Sequence, residues 1–307
     1  MRVLVTGASG FVGKYLVATL AAKGHALWGI GRSPTEDSIP GLKEYHDGDL
    51  ADDSDEGLRE FCRAARPDTV VHLAGLASVG ASWQYPVDTI DVSVVGTSRL
   101  FDALVSVVAL PQIWINIGSS EEYAPSRDPL NEDSRIGPSS PYGFAKVAQS
   151  RLAAYLCRRG SVHFIHFRPF NHIGAAQSRG FVVADVAARI ADIKKGLSKS
   201  VLRVGNLDPL RDFLDVRDVV EVYRLAVEGF VPDGVYNIAS GTGRTIRSVV
   251  DDLLRIADVD AEIIQDPALF RTADIPVRIG SAAKLQNVTG WKPMIDWERT
   301  LSDVLSR

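Results

Sequence analysis

With 307 residues, 46% of them hydrophobic and 23% charged, the chain exceeds the usual domain of roughly 100 to 150 residues and predicts one large domain or two intimate ones. A net charge of −4 leaves no broad basic face for nucleic acid, so any anionic ligand has to be held by local arginines. The apolar runs fall short of the ~20 residues of a membrane span, the chain enters a strand at once with no room for a signal peptide, and its two cysteines, Cys62 and Cys157, share no repeated spacing. A cytoplasmic protein with reduced thiols, no membrane contact and no metal site is therefore expected.

In chain order, short β-branched runs over residues 2–7, 26–31, 68–75 and 113–120 alternate with helical stretches over 11–24 and 97–108. That rhythm predicts an α/β fold, a Rossmann-type doubly wound parallel sheet that binds ligands at the carboxyl ends of its strands. After about Arg168 loops rich in Gly, Pro, Arg and Asn take over, with a helix near 181–195, a strand over 234–240 and a helix over 246–257. The expected division is a sheet domain of 1–167 plus a return over about 212–233, and a smaller α/β lobe of about 168–211 and 234–307.

Gly7, Gly10 and Gly13, with Phe11 and Val12 between them, follow the first strand and open the first helix. Glycine permits a tight turn, and a helix N-terminus offers N–H groups and a positive dipole end to a pyrophosphate; a glycine triplet alone could be a plain loop. The end of the second strand carries Gly31, Arg32 and Ser33, where an NAD site would place a carboxylate. Arg32 suits the 2′-phosphate of NADP, with NAD still possible, although it could also be a solvated residue stacking on adenine. Asp49 and Leu50 could flank the adenine, and Leu73, Ala74 and Gly75 end a strand where a nicotinamide ribose could approach. His72 reads as a core residue.

Ser140 and Pro141 look like the cap and first turn of a helix carrying Tyr142 and Lys146, four residues apart and so on one face. An ammonium beside a phenol is expected to lower the phenol from about 10, making Tyr142 a proton donor and acceptor near neutral pH. Taken alone, the pair could be an idle surface contact. Upstream, residues 118–123 read Gly-Ser-Ser-Glu-Glu-Tyr at the end of a strand.

Together Gly7, Gly10, Gly13, Ser119, Tyr142 and Lys146 resemble the extended short-chain dehydrogenase/reductase family acting on nucleotide sugars, over nearly the whole chain. The resemblance implies that Ser119 and Tyr142 hydrogen-bond a sugar carbonyl, that Lys146 also holds the nicotinamide ribose, and that hydride passes between C4 of nicotinamide and C4 of the sugar. It implies that Asn171, in the Arg168–Asn171 segment, contacts a nucleotide diphosphate. Arg211 and Arg271, the latter oriented by Asp274, suit the same phosphates because guanidinium forks match phosphate oxygens, though each alone could be a surface ion pair. Residues 118–123, 168–174, 204–219 and 289–293 resemble the branch that reduces GDP-4-dehydro-6-deoxy-D-mannose to GDP-D-rhamnose with NADPH. A homodimer through helices around 87–107 and 145–155 is implied by resemblance as well.

The chain departs from the family in having Ser93 where Asn is usual, Ala124 where Gly follows the tyrosine, and His172-Ile173-Gly174-Ala175-Ala176-Gln177 in the sugar loop. Glu121 stands where related 4,6-dehydratases carry the glutamate that takes the C5 proton; the bland reading is a residue that orients the Ser119 loop or binds a sugar hydroxyl. Reduction is favoured because Phe181 and Val182 are not followed by the dehydratases' basic run, and because the hydroxyl before the glutamate is Ser119 and not threonine. A GDP-mannose 4,6-dehydratase, a C4 epimerase and, last, a non-catalytic NADP-binding regulator are the alternatives.

Overall fold

Val3, Leu4 and Val5 are completely buried in β1 (Arg2–Thr6), a central strand of the principal sheet. The computed structural model describes residues 1–32, 39–51, 55–270 and 275–306. From β1 the chain passes through α1 (Phe11–Ala22), β2 (Ala26–Gly31), β3 (Leu42–Asp47), α2 (Asp55–Ala65) and β4 (Thr69–His72). Two short helices, α3 (Val79–Gln84) and α4 (Pro86–Ile90), and a π-helical turn at Asp91–Val95 lead into α5 (Gly96–Ser106) and β5 (Ile113–Ile117). A 3-10 turn at Ser120–Glu122 precedes the long α6 (Pro141–Gly160), then β6 (His163–Pro169) and β7 (Asn171–Ile173). The remainder comprises α7 (Val182–Lys194), β8 (Val201–Val204), β9 (Leu210–Asp215), α8 (Val216–Val227), β10 (Gly234–Ile238), β11 (Gly243–Thr245), α9 (Ile246–Ala257), β12 (Glu262–Gln265), β13 (Val277–Arg278), α10 (Ala283–Thr289) and α11 (Trp297–Leu305).

Seven strands pair in the order β10-β6-β5-β4-β1-β2-β3, all parallel. The order reverses between β1 and β4, and a crevice opens beyond the carboxyl ends of such strands. Both faces are covered, which is why the strands read as apolar runs and not as alternations. On one face Leu16, Val17 and Leu20 of α1 pack with Val219, Val220 and Tyr223 of α8. On the other, Leu58 and Phe61 of α2 meet Leu100 and Leu104 of α5. Each such leucine contributes about 2 kcal/mol through burial.

The smaller lobe has its own core, Val183, Val186 and Ile190 of α7 against Val249, Val250 and Leu253 of α9. Its strands form the set β11-β9-β13 with β7 beside β9, and the parallel pair β12-β8. The return to the principal sheet comprises α8 and β10, from Val216 to Ile238. This corrects the expected limits of about 212 and 233 at both ends. Residues 212–215 belong to β9 of the small lobe, and 234–238, expected in that lobe, form the edge strand beside β6. Valine, tyrosine and isoleucine in that strand are equally at home in either sheet, so local pattern could not assign it.

Candidate active site

At the end of β5 the chain turns on Gly118. A Cβ there would stand 2.0 Å from Glu122 Oε1 and 2.4 Å from His166 Cε1, so only glycine admits the approach. Ser119 then caps the 3-10 turn: its Oγ accepts from the Glu121 amide at 3.1 Å, while its own amide donates to Glu122 Oε1 at 2.9 Å. Glu122 is completely buried. Its other oxygen accepts from Arg168 Nε at 2.8 Å, and His166 Nε2 lies 3.1 Å from both. Burial alone would raise this carboxyl, yet His166, Arg168 and the Ser119 amide bring it down to about 2. Arg168 also donates to the Tyr123 hydroxyl at 3.0 Å, and Tyr123 donates to Asn237 Oδ1 at 2.7 Å. Neighbouring strands thus clamp the Ser119 loop from behind.

Ser140 caps α6 by accepting from the Gly143 amide at 3.1 Å, with Pro141 at the first helical position. The helix carries Tyr142 and Lys146 inward, both buried. Tyr142 and Ser119 border the same cleft. The expected lowering of the phenol by the lysine does not hold. Burial pushes it up to about 12, the neighbouring Ser119 hydroxyl pulls the other way, and Glu121 and Glu122 add to the rise. Lys146 is directed elsewhere, donating to the Ile117 carbonyl at 2.9 Å and to Gln149 Oε1 at 3.1 Å. Burial lowers its ammonium to about 8, against the pull of Glu122.

Gln149 continues into a buried chain whose proton positions follow by elimination. Thr97 Oγ1 donates its one proton to the Ser93 carbonyl at 2.6 Å, so it accepts from Gln149 Nε2 at 3.4 Å and from His72 Nε2 at 2.9 Å. His72 Nδ1 therefore accepts from Thr6 Oγ1 at 2.8 Å, and Thr6 accepts from the Ala74 amide at 3.0 Å. Burial and the nearby Lys146 hold His72 down to about 3, a neutral structural imidazole.

The Ser119 loop and the start of α6 border one cleft of about 700 Å³. Gly7, Gly10, Phe11, Val12, Gly13, Arg32, Asp49, Leu50, Leu73, Ala74 and Gly75 line one end. Ser119, Glu121, Tyr142 and Lys146 line its middle, and Asn171 and Arg211 the small-lobe side. The residues fit a dinucleotide. A Cβ on Gly13 would lie 2.2 Å from the Gly7 carbonyl, α1 has no side-chain cap on its N-terminus, and Gly7 turns with φ +68°. Arg32 Nη1 reaches Asp49 Oδ2 at 3.3 Å in a half-open position. Gly75 backs onto the lysine: a side chain there would meet Lys146 Nζ at 3.1 Å and Ser93 Oγ at 3.8 Å. Ser93 Oγ is buried without a partner among the described residues, so the serine found in place of asparagine leaves an unused hydroxyl there. Ser33, Arg271 and Asp274 lie outside the described residues.

Sequence reasoning assigned no role to Glu122, His166, Gln149 or Arg278. Most of their partners lie far apart in the chain, as with Glu122 and Arg168 at a separation of 46 residues, and the local contacts of Glu122 with Ser119 and of Gln149 with Lys146 follow no motif that announces them. Only the doubled glutamate, one exposed to the cleft and one buried, hinted at a second role. No described helix is long and apolar enough to cross a membrane, and Cys62 and Cys157 are buried free thiols.

Residues 3–239 match the model of the NAD dependent epimerase/dehydratase family. The chain is 36% identical to GDP-6-deoxy-D-mannose reductase of Pseudomonas aeruginosa, over 99% of this chain and 96% of that one. It is 28% identical to GDP-mannose 4,6 dehydratase 2 of Arabidopsis thaliana, over 96% and 83%. Among solved structures, that of RMD from Pseudomonas aeruginosa complexed with NADPH superposes with a TM-score of 0.87 at 34% identity, covering 100% of this chain and 98% of that one.

Proposed function

Since the chain belongs to the NAD dependent epimerase/dehydratase family, we propose that this NAD(P)-dependent nucleotide-sugar oxidoreductase reduces the C4 ketone of GDP-4-dehydro-6-deoxy-D-mannose with NADPH, giving GDP-D-rhamnose. The observation that carries the reading is the buried Ser119–Tyr142 pair at the middle of the cleft. A phenol raised to about 12 is protonated at neutral pH, which is the form that reduction needs, because the ketone must gain a proton as it gains a hydride. The identity to a GDP-sugar reductase and the likeness to a structure complexed with NADPH support the substrate and the cofactor.

In this reading Gly7, Gly10, Phe11, Val12 and Gly13 take the cofactor's pyrophosphate at the start of α1, and Arg32 takes the 2′-phosphate. Asp49, Leu50, Leu73, Ala74 and Gly75 border the adenosine and ribose. The bound nicotinamide supplies the hydride. Ser119 and Tyr142 donate to the sugar's C4 oxygen, Tyr142 passes its proton to the forming alkoxide, and Lys146 holds the ribose. Asn171 and Arg211 grip the diphosphate, and that remote binding aligns the ketone.

A cytoplasmic homodimer is part of the same reading. Val87 of α4, Val105 of α5 and Phe144 and Tyr155 of α6 are exposed apolar residues on the helices expected to meet.

Purified protein incubated with GDP-4-dehydro-6-deoxy-D-mannose and NADPH should consume one NADPH per sugar, read by absorbance, and yield a GDP-6-deoxyhexose whose C4 configuration NMR assigns. A dehydratase is the second reading because Glu121 lines the cleft. Water loss from GDP-mannose without net cofactor consumption would establish it and overturn the first.

A further inference from the structure

Behind Glu121 stands Arg278 of β13, 2% exposed and set back from the cleft lining. Its Nε lies 3.3 Å from Glu121 Oε1, and one Nη donates to the Ser120 carbonyl. Among the described residues its Nε and its other Nη have no hydrogen-bond partner. A guanidinium keeps its full charge and offers five donors, so burying one so sparsely bonded is costly unless an anion faces it. Glu121 is that anion. Burial pulls Arg278 below its ordinary value and the Glu121 charge opposes the pull. Glu121 lines the cleft, and its carboxylate lies 3.3 Å from a buried cation on the small lobe.

The consequence is chemical. In a 4-ketohexose the hydrogen on C5 is acidic, because the electron pair left at C5 moves onto the C4 oxygen as an enolate. A base that reaches this hydrogen opens epimerisation at C5, and elimination where C6 bears a leaving group, neither of which reduction at C4 requires. A carboxylate paired with a buried guanidinium must leave that partner before it can take a proton from carbon. We propose that Arg278 is a positioning residue that anchors Glu121 and confines the site to hydride transfer, by denying the C5 proton a mobile base. The inference rests on the keto-sugar reading above.

The test is hydrogen exchange at C5. Protein loaded with NADP, and so without a hydride to give, is incubated with GDP-4-dehydro-6-deoxy-D-mannose in D2O, and loss of the C5 proton signal is followed by NMR. Exchange moves the C5 proton to a Glu121 oxygen and the C–H electron pair to the C4 oxygen; a deuteron then returns to C5, with no net redox change. Arg278→Met, of similar reach but uncharged, should exchange at least roughly tenfold faster than the unaltered protein, a modest share of what a positioned base supplies. Adding Glu121→Gln to that variant should abolish the gain, and Arg278→Lys, which keeps the charge, should stay near the unaltered rate. Should Arg278→Met lose its cooperative melting transition, Arg278→Gln carries the same expectation. Equal exchange with and without the charge overturns the proposal while NADPH-dependent reduction by the unaltered protein leaves the function standing. If the unaltered protein does not reduce this sugar at all, the substrate reading fails and the role of Arg278 falls with it.

Discussion

Glu122 accepts a hydrogen bond from the Ser119 amide at 2.9 Å while its second oxygen pairs with Arg168 at 2.8 Å. One buried carboxylate thereby joins the strand carrying Arg168 to the residue expected to polarise the substrate ketone. A buried pair is weak evidence for stability compared with an apolar replacement, but removing one member leaves the other charge uncompensated. Glu122→Gln keeps the shape and strands Arg168. It should cost about 3 kcal/mol in urea unfolding and lower kcat more than either Michaelis constant, because the Ser119 loop loses its anchor.

Tyr142 should be separable from binding. Tyr142→Phe deletes the proton donor but preserves the ring that packs in α6, so kcat should fall by roughly 10² to 10⁴. NADPH titration by fluorescence should give a dissociation constant within about threefold of the unaltered protein, since no charged contact is lost. A comparable fall in cofactor affinity would argue that Tyr142 organises the cofactor and does not transfer the proton.

The parallel sheet as a type, with its strands β1, β2, β4 and β5, and the cleft lining were legible because each rests on local pattern, whereas the edge strand β10 was not, since its residues suit either sheet. Apolar runs punctuated by amphipathic helices give the parallel sheet, and glycines at the end of β1 give the turn that opens onto the cleft. Tyr142 and Lys146 declare themselves through helical spacing. The electrostatics were not legible. Whether an ammonium lowers a phenol depends on where the ammonium points, and Lys146 points at Ile117 and Gln149. Burial, which no spacing reports, then decides the direction at Tyr142. Long-range partners such as Glu122 with Arg168, or Glu121 with Arg278, exist only once β5, β6 and β13 have been brought together.

Arg32 tests the choice of cofactor. It is half-exposed and touches Asp49 at 3.3 Å, a contact that contributes little by itself. If its role is the 2′-phosphate, Arg32→Ala should raise the Michaelis constant for NADPH by roughly 10- to 100-fold, the worth of hydrogen bonds to a charged group. The constant for NADH should stay within about twofold. Equal effects on both would assign Arg32 to adenine stacking.

Arg211 tests the other end of the cleft. Arg211→Ala should raise the Michaelis constant for the nucleotide sugar by roughly tenfold or more, with that for NADPH nearly unchanged, because a diphosphate loses a charge-assisted contact and the cofactor does not. Steady-state kinetics with each substrate varied in turn distinguishes the two.

The last prediction concerns the sign of a pH effect. Lys146 is held down to about 8 by burial, so in the free protein it is charged below that pH and neutral above it. The profile of kcat/KM for NADPH reports the free protein and should be level below about 8 and fall above it, as the ribose loses a cationic donor. Burial sets where the fall begins, and Gln149 bears on it because its Oε1 accepts from the ammonium at 3.1 Å. Gln149→Met removes an acceptor that favours the charged form and should move the fall to lower pH by roughly one unit, since one unit corresponds to about 1.4 kcal/mol and a hydrogen bond to a charge to slightly more. Gln149→Glu places a negative charge there and should move it upward. A purely structural role for Gln149 would lower rates at every pH without displacing the profile.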